Sequence, residues 1–221
     1  MRPIFVTATG TNVGKTHTTL KLIEECAKQG ISVGVFKPIE TGVVDIPSDA
    51  FALLNNAQSV NSRFTNLTTD DVTEYTFSLP AAPYCSDTNH IIEIDNILTQ
   101  FDKLSLLCDL LIIEGAGGLM TPITDTLKMI DLIGIFRARA LLVTPSRLGC
   151  INDTLLSMEA LQSRNIEFDW CVNIYEDKDS FDIVTKPYYD ALFPKWWSVE
   201  NGLEKYVDKL IKDSKCQTNQ N

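Results

Sequence analysis

The segment Thr9-Gly10-Thr11-Asn12-Val13-Gly14-Lys15-Thr16 constrains the fold of this chain more than any other stretch. It follows an apolar run at residues 4–8 that predicts a strand, and it precedes an apolar-periodic run at residues 15–29 that predicts a helix. A glycine-containing turn that ends in Gly-Lys-Thr between a strand and a helix is typical of a phosphate-binding loop. In such a loop, backbone N–H groups and the positive end of the helix dipole bind phosphate oxygens.

This loop is an offset variant of the usual motif, because Thr9 stands where the first glycine is expected and Gly10 supplies the flexible residue. Lys15 is expected to reach the outer phosphates, and the Thr16 hydroxyl to bind Mg²⁺. A cation in the first helical turn opposes the helix dipole, so we expect His17 to contact phosphate through its backbone N–H, with its ring near solvent. The alternative is a chance Gly-Lys-Thr in a surface loop, which the flanking strand and helix argue against.

Strand and helix patterns alternate along the rest of the chain. Strands are predicted at residues 32–36, 110–113, 140–143 and 168–174, and helices at residues 48–56, 94–108, 129–136, 152–164 and 203–211. Ser48 is the expected N-cap of its helix. Residues 58–90 lack a long periodicity and contain Pro80 and Pro83, which predicts a long excursion with short helical pieces. Residues 217–221 are polar and expected to fray.

This alternation predicts an α/β fold in which a central, mostly parallel sheet is flanked by helices, and the phosphate-loop motif makes it one of the P-loop NTPase type. No internal repeat, linker or low-complexity segment interrupts the pattern, so residues 1–221 are predicted to form a single domain. Ligands of such sheets bind outside the carboxyl ends of the strands. Polar residues that directly follow a strand are therefore the candidates for function.

The composition argues against several classes of function. The net charge of −10 disfavours binding to nucleic acid or to an anionic membrane, and no apolar run has the length of a membrane span. The six cysteines include no Cys-x-x-Cys pair, so neither a zinc site nor a redox motif is indicated. Unpaired thiols without a secretory signal lead us to expect a reducing, cytoplasmic location.

Two polar residues follow the strand predicted at residues 32–36. Lys37 is placed where a cation stabilises charge on a transferred phosphoryl group or on an anion bound beside it. A solvated lysine at a strand end is the alternative. Thr41 carries a neutral hydroxyl in the same loop and is expected to lie near a second reactant.

Two carboxylates are candidate ligands for Mg²⁺. Glu114 ends a buried apolar strand and precedes Gly115, Ala116, Gly117 and Gly118, a pattern that resembles a Walker-B carboxylate beside a loop that approaches a ligand closely. The alternative for Glu114 is an N-cap acid at a flexible turn. Asp49 lies at a helix start, where it either binds Mg²⁺ or stabilises the helix dipole, and its spacing leaves both open.

Taken together, these segments resemble the dethiobiotin synthetase family, the ATP-dependent carboxylases of biotin synthesis. The resemblance spans the chain to about Tyr175 and is carried by residues 9–16, 37–42, 48–50, 114–118 and 147–152, together with Phe77, Pro80 and Pro83. Each segment alone is a weak signal, but the set in this order is specific. The resemblance implies a homodimer that uses MgATP, CO₂ (or bicarbonate) and 7,8-diaminononanoate to make dethiobiotin, ADP and phosphate. It implies a carbamate, its phosphorylation to a mixed anhydride, and ring closure by the second amine.

The resemblance also implies roles for individual residues. Lys15 and Lys37 are the catalytic residues, and Thr16, Asp49 and Glu114 are the metal ligands. The residues that bind ATP are Asn12, Val13, Gly14, Lys15, Thr16, His17, Asp49, Glu114, Gly115, Ala116, Gly117 and Asn173, the last of which reads the adenine. The residues that bind the diamine are Thr11 and Thr41, joined by Gly149, Cys150, Ile151 and Asn152 of the neighbouring subunit.

The chain departs from the family pattern in three places. Asn12 stands where many members have Glu, and Tyr84 stands where a His is expected. Beyond Tyr175, the residues Pro194, Lys195 and Trp196 do not reproduce the segment that closes over the base, which predicts looser discrimination between ATP and GTP.

Two rival interpretations share the phosphate loop. The first is a deviant Walker ATPase that acts as a partner-regulating switch, but its loop typically has a second lysine where this chain has Gly10. The second is an amide-forming synthetase of corrinoid biosynthesis, but we expect no room in 221 residues for its glutamine amidotransferase domain.

Overall fold

A central parallel sheet organises the protein. The structure, a computed structural model, describes residues 1–175 and 177–218. Its strands are β1 (Ile4–Ala8), β2 (Val33–Phe36), β3 (Ile39–Thr41), β4 (Tyr75–Phe77), β5 (Leu110–Glu114), β6 (Arg139–Pro145) and β7 (Phe168–Asn173). Within the described residues, five of them form one parallel sheet in the order β2-β5-β1-β6-β7, which confirms the predicted fold class.

Four strands of the sheet are buried along their whole length because the sheet is covered on both faces. Every residue of β1, β2, β5 and β6 is buried, as expected for parallel strands between two layers of helices. A group of phenylalanine rings fills part of the core, with Phe136 4.7 Å from Phe101 and about 6 Å from Phe5 and Phe36 between ring centroids. Such ring pairs add to the stabilisation that burial of their area provides.

The predicted helices are present, although several ends differ by a few residues. The helices are α1 (Lys15–Lys28), α2 (Ser48–Val60), α3 (Thr69–Val72), α4 (Pro83–Ser86), α5 (Ile94–Ser105), α6 (Met129–Ile135), α7 (Cys150–Gln162), α8 (Lys178–Val184), α9 (Lys186–Leu192) and α10 (Val199–Thr218). No helix within residues 1–175 and 177–218 has both the length and the apolar character needed to cross a membrane.

Some predictions of local structure are wrong. Pro47, not Ser48, occupies the N-cap position of α2, and α2 continues to Val60. The excursion at residues 58–90 contains β4, which pairs in parallel with β3 as a separate two-stranded sheet. Strands of three residues carry too little alternation to be detected from sequence.

The region after β7 is more helical than predicted. α8 and α9 lie where no helix is expected, and α10 begins at Val199 instead of residue 203. α10 continues through Thr218, two residues into the segment expected to fray. The rest of that segment, residues 219–221, lies outside the described residues.

The strand order determines where the candidate residues meet. β5 pairs with both β1 and β2, so the segments that follow these three strands share one edge of the sheet. Glu114, the last residue of β5, is the register partner of Val6, three residues before the phosphate loop begins. The fold therefore brings the phosphate loop, Lys37 and Glu114 to one place at the carboxyl edge, where α/β sheets bind ligands.

Candidate active site

The predicted phosphate loop connects β1 to α1. Asn12 and Gly14 have φ angles of 58° and 98°, and these left-handed conformations turn the chain tightly into the helix. α1 begins at Lys15, so the N–H groups of its first turn lack intrahelical acceptors and can bind an anion. The ammonium of Lys15 is folded back into the loop, 3.0 Å from the carbonyl oxygen of Gly10.

A partly buried cluster of two carboxylates, one ammonium and one hydroxyl forms the centre of the site. Nζ of Lys37 donates to Oδ2 of Asp49 at 2.9 Å and to Oε1 of Glu114 at 2.7 Å. The Thr16 hydroxyl lies 3.1 Å from Oδ1 of Asp49 and 3.0 Å from Oε1 of Glu114. Lys37 is 3% exposed and Glu114 0%, which excludes a solvated lysine at this strand end.

Thr19 is a further member of this cluster and was not among the predicted site residues. Its hydroxyl lies 2.9 Å from Oε2 of Glu114 and 2.9 Å from the carbonyl oxygen of Lys15. Thr19 follows Thr16 by three residues in α1, so the two hydroxyls share one face of the helix. That spacing is the sequence signal that would have found it. Each oxygen of Glu114 thus accepts from a hydroxyl of α1.

The pKa values of the two lysines shift in opposite directions. Burial, and then repulsion by Lys37, lower the pKa of Lys15 to about 8. Burial also disfavours the charged form of Lys37, but attraction by Glu114 and Asp49 outweighs it and raises the pKa of Lys37. Burial disfavours the charged form of Asp49 as well, but its contacts with Lys37 outweigh this and lower the pKa of Asp49. Lys37 and Asp49 therefore stay ionised at neutral pH, whereas Lys15 begins to lose its proton just above it.

The cluster borders a cavity of about 390 Å³ at the carboxyl edge of the sheet. The residues that line it are Thr11, Asn12, Gly14, Lys15, Thr16, Lys37, Glu40, Thr41, Asp49, Ala116 and Gly117. All of these except Glu40 belong to the predicted site. Gly115 lies beside the cavity, where its carbonyl oxygen accepts from Nζ of Lys37 at 3.4 Å.

A second cavity of about 330 Å³ adjoins the first and shares four lining residues with it, which are Thr11, Thr41, Ala116 and Gly117. Its other walls are Pro80, Ala81, Ala82, Pro83 and Thr121. The excursion at residues 58–90 therefore contributes to the site through the start of α4. The first cavity is lined by the phosphate loop, and the second is less polar.

Asn173 and Tyr175 hold the phosphate loop from the end of β7. The side-chain amide of Asn173 donates to the carbonyl oxygen of Val13 at 3.0 Å, and the Tyr175 hydroxyl donates to the carbonyl oxygen of Asn12 at 2.6 Å. A β-carbon on Gly14 would lie 2.0 Å from Nδ2 of Asn173, so this glycine also permits the close approach of β7. Tyr175 was not among the predicted site residues.

The remaining predicted residues lie away from the cavity. The ring of His17 is exposed, as expected, and Nε2 lies 3.6 Å from Oε1 of Glu200. Gly149, Cys150, Ile151 and Asn152 do not line either cavity described above and form the start of α7.

The thiol of Cys150 points away from solvent. It lies 3.7 Å from the Tyr189 hydroxyl and 3.9 Å from the Thr185 hydroxyl in a buried cluster. Its backbone N–H already donates to the carbonyl oxygen of Arg147. The backbone of Ile151 and Asn152, in the first turn of α7, is therefore the better candidate for contacting an anion at this helix start.

Comparisons with known proteins extend over nearly the whole chain. A family model described as "AAA domain" matches residues 2–178. An ATP-dependent dethiobiotin synthetase of Sulfurovum sp. (strain NBC37-1) is 63% identical over 210 residues, which cover 95% of this chain and 100% of that protein. The ATP-dependent dethiobiotin synthetase of Wolinella succinogenes is 34% identical over 214 residues, which cover 96% of this chain and 99% of that protein. Among solved structures, a plasmid partition protein from Borrelia burgdorferi matches with a TM-score of 0.57 at 13% sequence identity, over 94% of this chain and 98% of that chain. This similarity shows the fold alone.

Proposed function

The chain belongs to the dethiobiotin synthetase family, and from that membership we propose how its residues use ATP to make dethiobiotin. It is an ATP-dependent ligase of biotin biosynthesis that joins CO₂ to 7,8-diaminononanoate and closes a cyclic urea. One observation carries the assignment of roles. Lys37 contacts Asp49 and Glu114 beside a cavity that the phosphate loop shares with Thr11 and Thr41. A nucleotide and a second reactant can therefore meet at the Lys37 ammonium.

The triphosphate of ATP lies along the phosphate loop. The backbone N–H groups of the loop and of the first turn of α1, including that of His17, hold the phosphate oxygens. Lys15 leaves the Gly10 carbonyl and neutralises the β- and γ-phosphate oxygens. Gly115, Ala116 and Gly117 border the phosphates from the opposite side, because two of them line the same cavity and the third contacts Lys37.

The cluster also fits a magnesium ion. Thr16, Asp49 and Glu114 would hold it, since their oxygens already converge within 3.1 Å of the Thr16 hydroxyl and oxygen is the ligand that Mg²⁺ prefers. When bound, the ion neutralises charge on the β- and γ-phosphate oxygens. Lys37 orients the two carboxylates by bonding to both of them.

The reaction needs positioning and charge stabilisation more than covalent catalysis. One amine of the diamine adds to CO₂ and loses a proton, which gives a carbamate. A carbamate oxygen attacks the γ-phosphorus, and the bond to ADP breaks. The second amine attacks the carbamate carbon, phosphate departs with the bonding electrons, and the amine proton passes to solvent. Lys15 and Lys37 stabilise the phosphoryl and carbamate oxygens through these steps.

The diamine occupies the second cavity. Thr11 and Thr41 line both cavities, so their hydroxyls lie where the amines would meet the γ-phosphate. The wall at Pro80 and Pro83 faces the less polar half, which suits the aliphatic chain of the substrate. Asn12 leaves this end of the site without the carboxylate that many family members have at its position.

The carboxylate of the diamine is bound by a second copy of the chain. The turn at residues 149–152 would complete the site of that copy with the backbone N–H groups at the start of α7. Exposed apolar side chains support a dimer surface nearby, with Leu148 72%, Leu156 58% and Met120 50% exposed. Leu156 and Met120 border a groove of about 420 Å³ that reaches Gly10.

Mixing two inactive variants tests the shared site. Lys37→Ala removes the ammonium at the reacting end, and Asn152→Pro removes a backbone N–H from the carboxylate end. Refolding the two together should recover part of the activity, because one site in a mixed dimer receives both intact halves. Each variant refolded alone is the control, and a mixture no more active than either variant would contradict a shared site.

The adenine lies beside Asn173, whose amide is fixed to the phosphate loop through Val13. The tail after Tyr175 does not reproduce the family's base-closing segment, so we expect weak discrimination between bases. Comparable turnover of ATP and GTP under saturating diamine and bicarbonate would support this. Strict dependence on ATP would contradict it.

An omission assay tests the function as a whole. ADP release and dethiobiotin, measured by mass spectrometry, should require MgATP, bicarbonate and the diamine together. Lys37→Ala and Lys15→Ala should both suppress product formation, whereas Lys28→Ala, on the exposed end of α1, should not. ADP release that is independent of the diamine but stimulated by a protein partner would support a partner-regulated ATPase in place of the synthetase.

A further inference from the structure

Glu40 is a buried carboxylate in the active-site cavity that the mechanism above does not use. It is 5% exposed and lies on β3 next to Thr41. Its Oε1 accepts from the backbone N–H of Asp49 at 2.9 Å, and its Oε2 accepts from the backbone N–H of Ala50 at 2.9 Å. The Ser48 hydroxyl lies 3.4 Å from Oε1. Both oxygens of Glu40 are thus directed at the first turn of α2.

These contacts replace the capping that α2 lacks at its own N-terminus. Pro47 occupies the N-cap position, and no side chain at that position accepts a hydrogen bond from the helix. The N–H groups of a first helical turn need acceptors from elsewhere, and a carboxylate there also interacts favourably with the helix dipole. Glu40, which lies on β3, supplies both the acceptors and the negative charge, so it attaches the start of α2 to β3.

The residue fixed by this attachment is a member of the charged cluster. Asp49 receives the Glu40 contact at its backbone, while its side chain lies between the Thr16 hydroxyl and the Lys37 ammonium. A change in the direction of the first turn of α2 would move the Asp49 carboxylate relative to both partners. Residues that orient metal ligands in this way commonly control metal affinity.

We infer that Glu40 is a positioning residue, which holds Asp49 in the orientation that binds Mg²⁺ together with the nucleotide. This inference rests on the proposed role of Asp49 as a magnesium ligand. It makes Glu40 act through the backbone of Asp49, without contact to the phosphates.

Glu40→Gln tests the inference with little change in shape. The glutamine keeps one carbonyl acceptor, but its amide N–H₂ faces a backbone N–H and its charge is lost. We expect the extra affinity that Mg²⁺ gives to a non-hydrolysable ATP analogue to fall by about 10- to 100-fold. Isothermal titration with Mg²⁺ and with EDTA measures this difference. The affinity in EDTA should stay at the wild-type value, because the phosphate loop is untouched.

Asp87→Asn is a matched control. Asp87 is also 5% exposed, and its two oxygens accept from the backbone N–H groups of Ile91 and Ile92 at 2.9 Å each. A general effect of losing a buried carboxylate should lower the thermal midpoint of both variants, but only Glu40→Gln should lose the magnesium effect. A wild-type magnesium effect in Glu40→Gln, or an equal loss in Asp87→Asn, would overturn the inference. Because the titration contains no diamine, its result is separate from a failure of the wild type to form dethiobiotin.

Discussion

Lys37→Met should destabilise the protein as well as inactivate it, because it leaves two carboxylates without the ammonium that balances them. The side chain is 3% exposed, and Nζ lies within 2.9 Å of both Asp49 and Glu114. Removing one partner from such a buried pair costs about 3–5 kcal/mol of unfolding free energy. In a protein of this size each kcal/mol lowers the thermal midpoint by about 2–4 °C, so we expect a fall of about 6–20 °C.

The destabilisation should also depend on pH. In the wild type the pKa of Asp49 is lowered, so its stabilising contribution is present above the pKa of the unfolded state and is lost as pH falls through the folded value. Lys37→Met lacks the contact that lowers this pKa, so the difference between wild type and variant should narrow as the pH is lowered from about 5 to about 3. Urea unfolding followed by tryptophan fluorescence at both pH values measures this difference.

Lys209→Met is the control for replacing a paired lysine. Lys209 is 45% exposed and lies 2.5 Å from Asp169, and such surface pairs contribute about 0–1 kcal/mol. Asp169 also keeps its contact with Arg139 in this variant. A Lys37→Met variant that unfolds at the wild-type urea concentration, or whose loss of stability grows on acidification, would contradict a stabilising role for Lys37 in the cluster.

The phosphate loop and its neighbour allow three shorter tests. Because the pKa of Lys15 is about 8 in the free protein and phosphate favours the protonated form, nucleotide affinity should fall about tenfold between about pH 7 and about pH 9. A titration whose affinity is constant over this range would contradict that. Gly14→Ala should weaken nucleotide binding, because its β-carbon would lie 2.0 Å from Asn173, whereas Gly10→Ala, with open space around it, should not. Thr41→Val should raise the KM for the diamine and leave nucleotide affinity unchanged. An unchanged KM with weaker nucleotide binding would contradict a role for Thr41 in binding the diamine.

Residues whose position follows from strand order were predictable from the sequence. Lys37 and Glu114 each follow an apolar strand, and the carboxyl ends of parallel strands share one edge. Thr16 follows from the loop motif itself. Thr16 and Lys37 lie within 3.0 Å of Glu114 because β5 lies between β1 and β2 in the sheet. The pattern of elements therefore contains enough information to assemble the centre of the site.

Residues whose side chains bond to the backbone of another segment of the chain were not predictable in the same way. Glu40 caps a helix that begins eight residues later, and no motif describes capping across a loop that ends in Pro47. The pairing of β3 with β4 involves two strands of three residues each, whose register depends on the whole excursion. Tyr175 contacts the phosphate loop only because α/β folding returns β7 to the same edge of the sheet.

The cluster also explains how an acidic chain can bind an anionic nucleotide. The net charge of −10 acts on a ligand through solvent, where salt screens it over about 8 Å at physiological ionic strength. Contacts within the site are much shorter, and there the N–H groups of the phosphate loop and of the first turn of α1 act together with Lys15 and Lys37, although the carboxylates of Glu40, Asp49 and Glu114 lie in the same site. Lys37 bonds to both Asp49 and Glu114, so little of its positive charge is left to attract a nucleotide that binds without Mg²⁺. We propose that a Mg²⁺ ion held by Thr16, Asp49 and Glu114 would supply further positive charge beside the Lys37 ammonium, so nucleotide affinity should rise when Mg²⁺ is present.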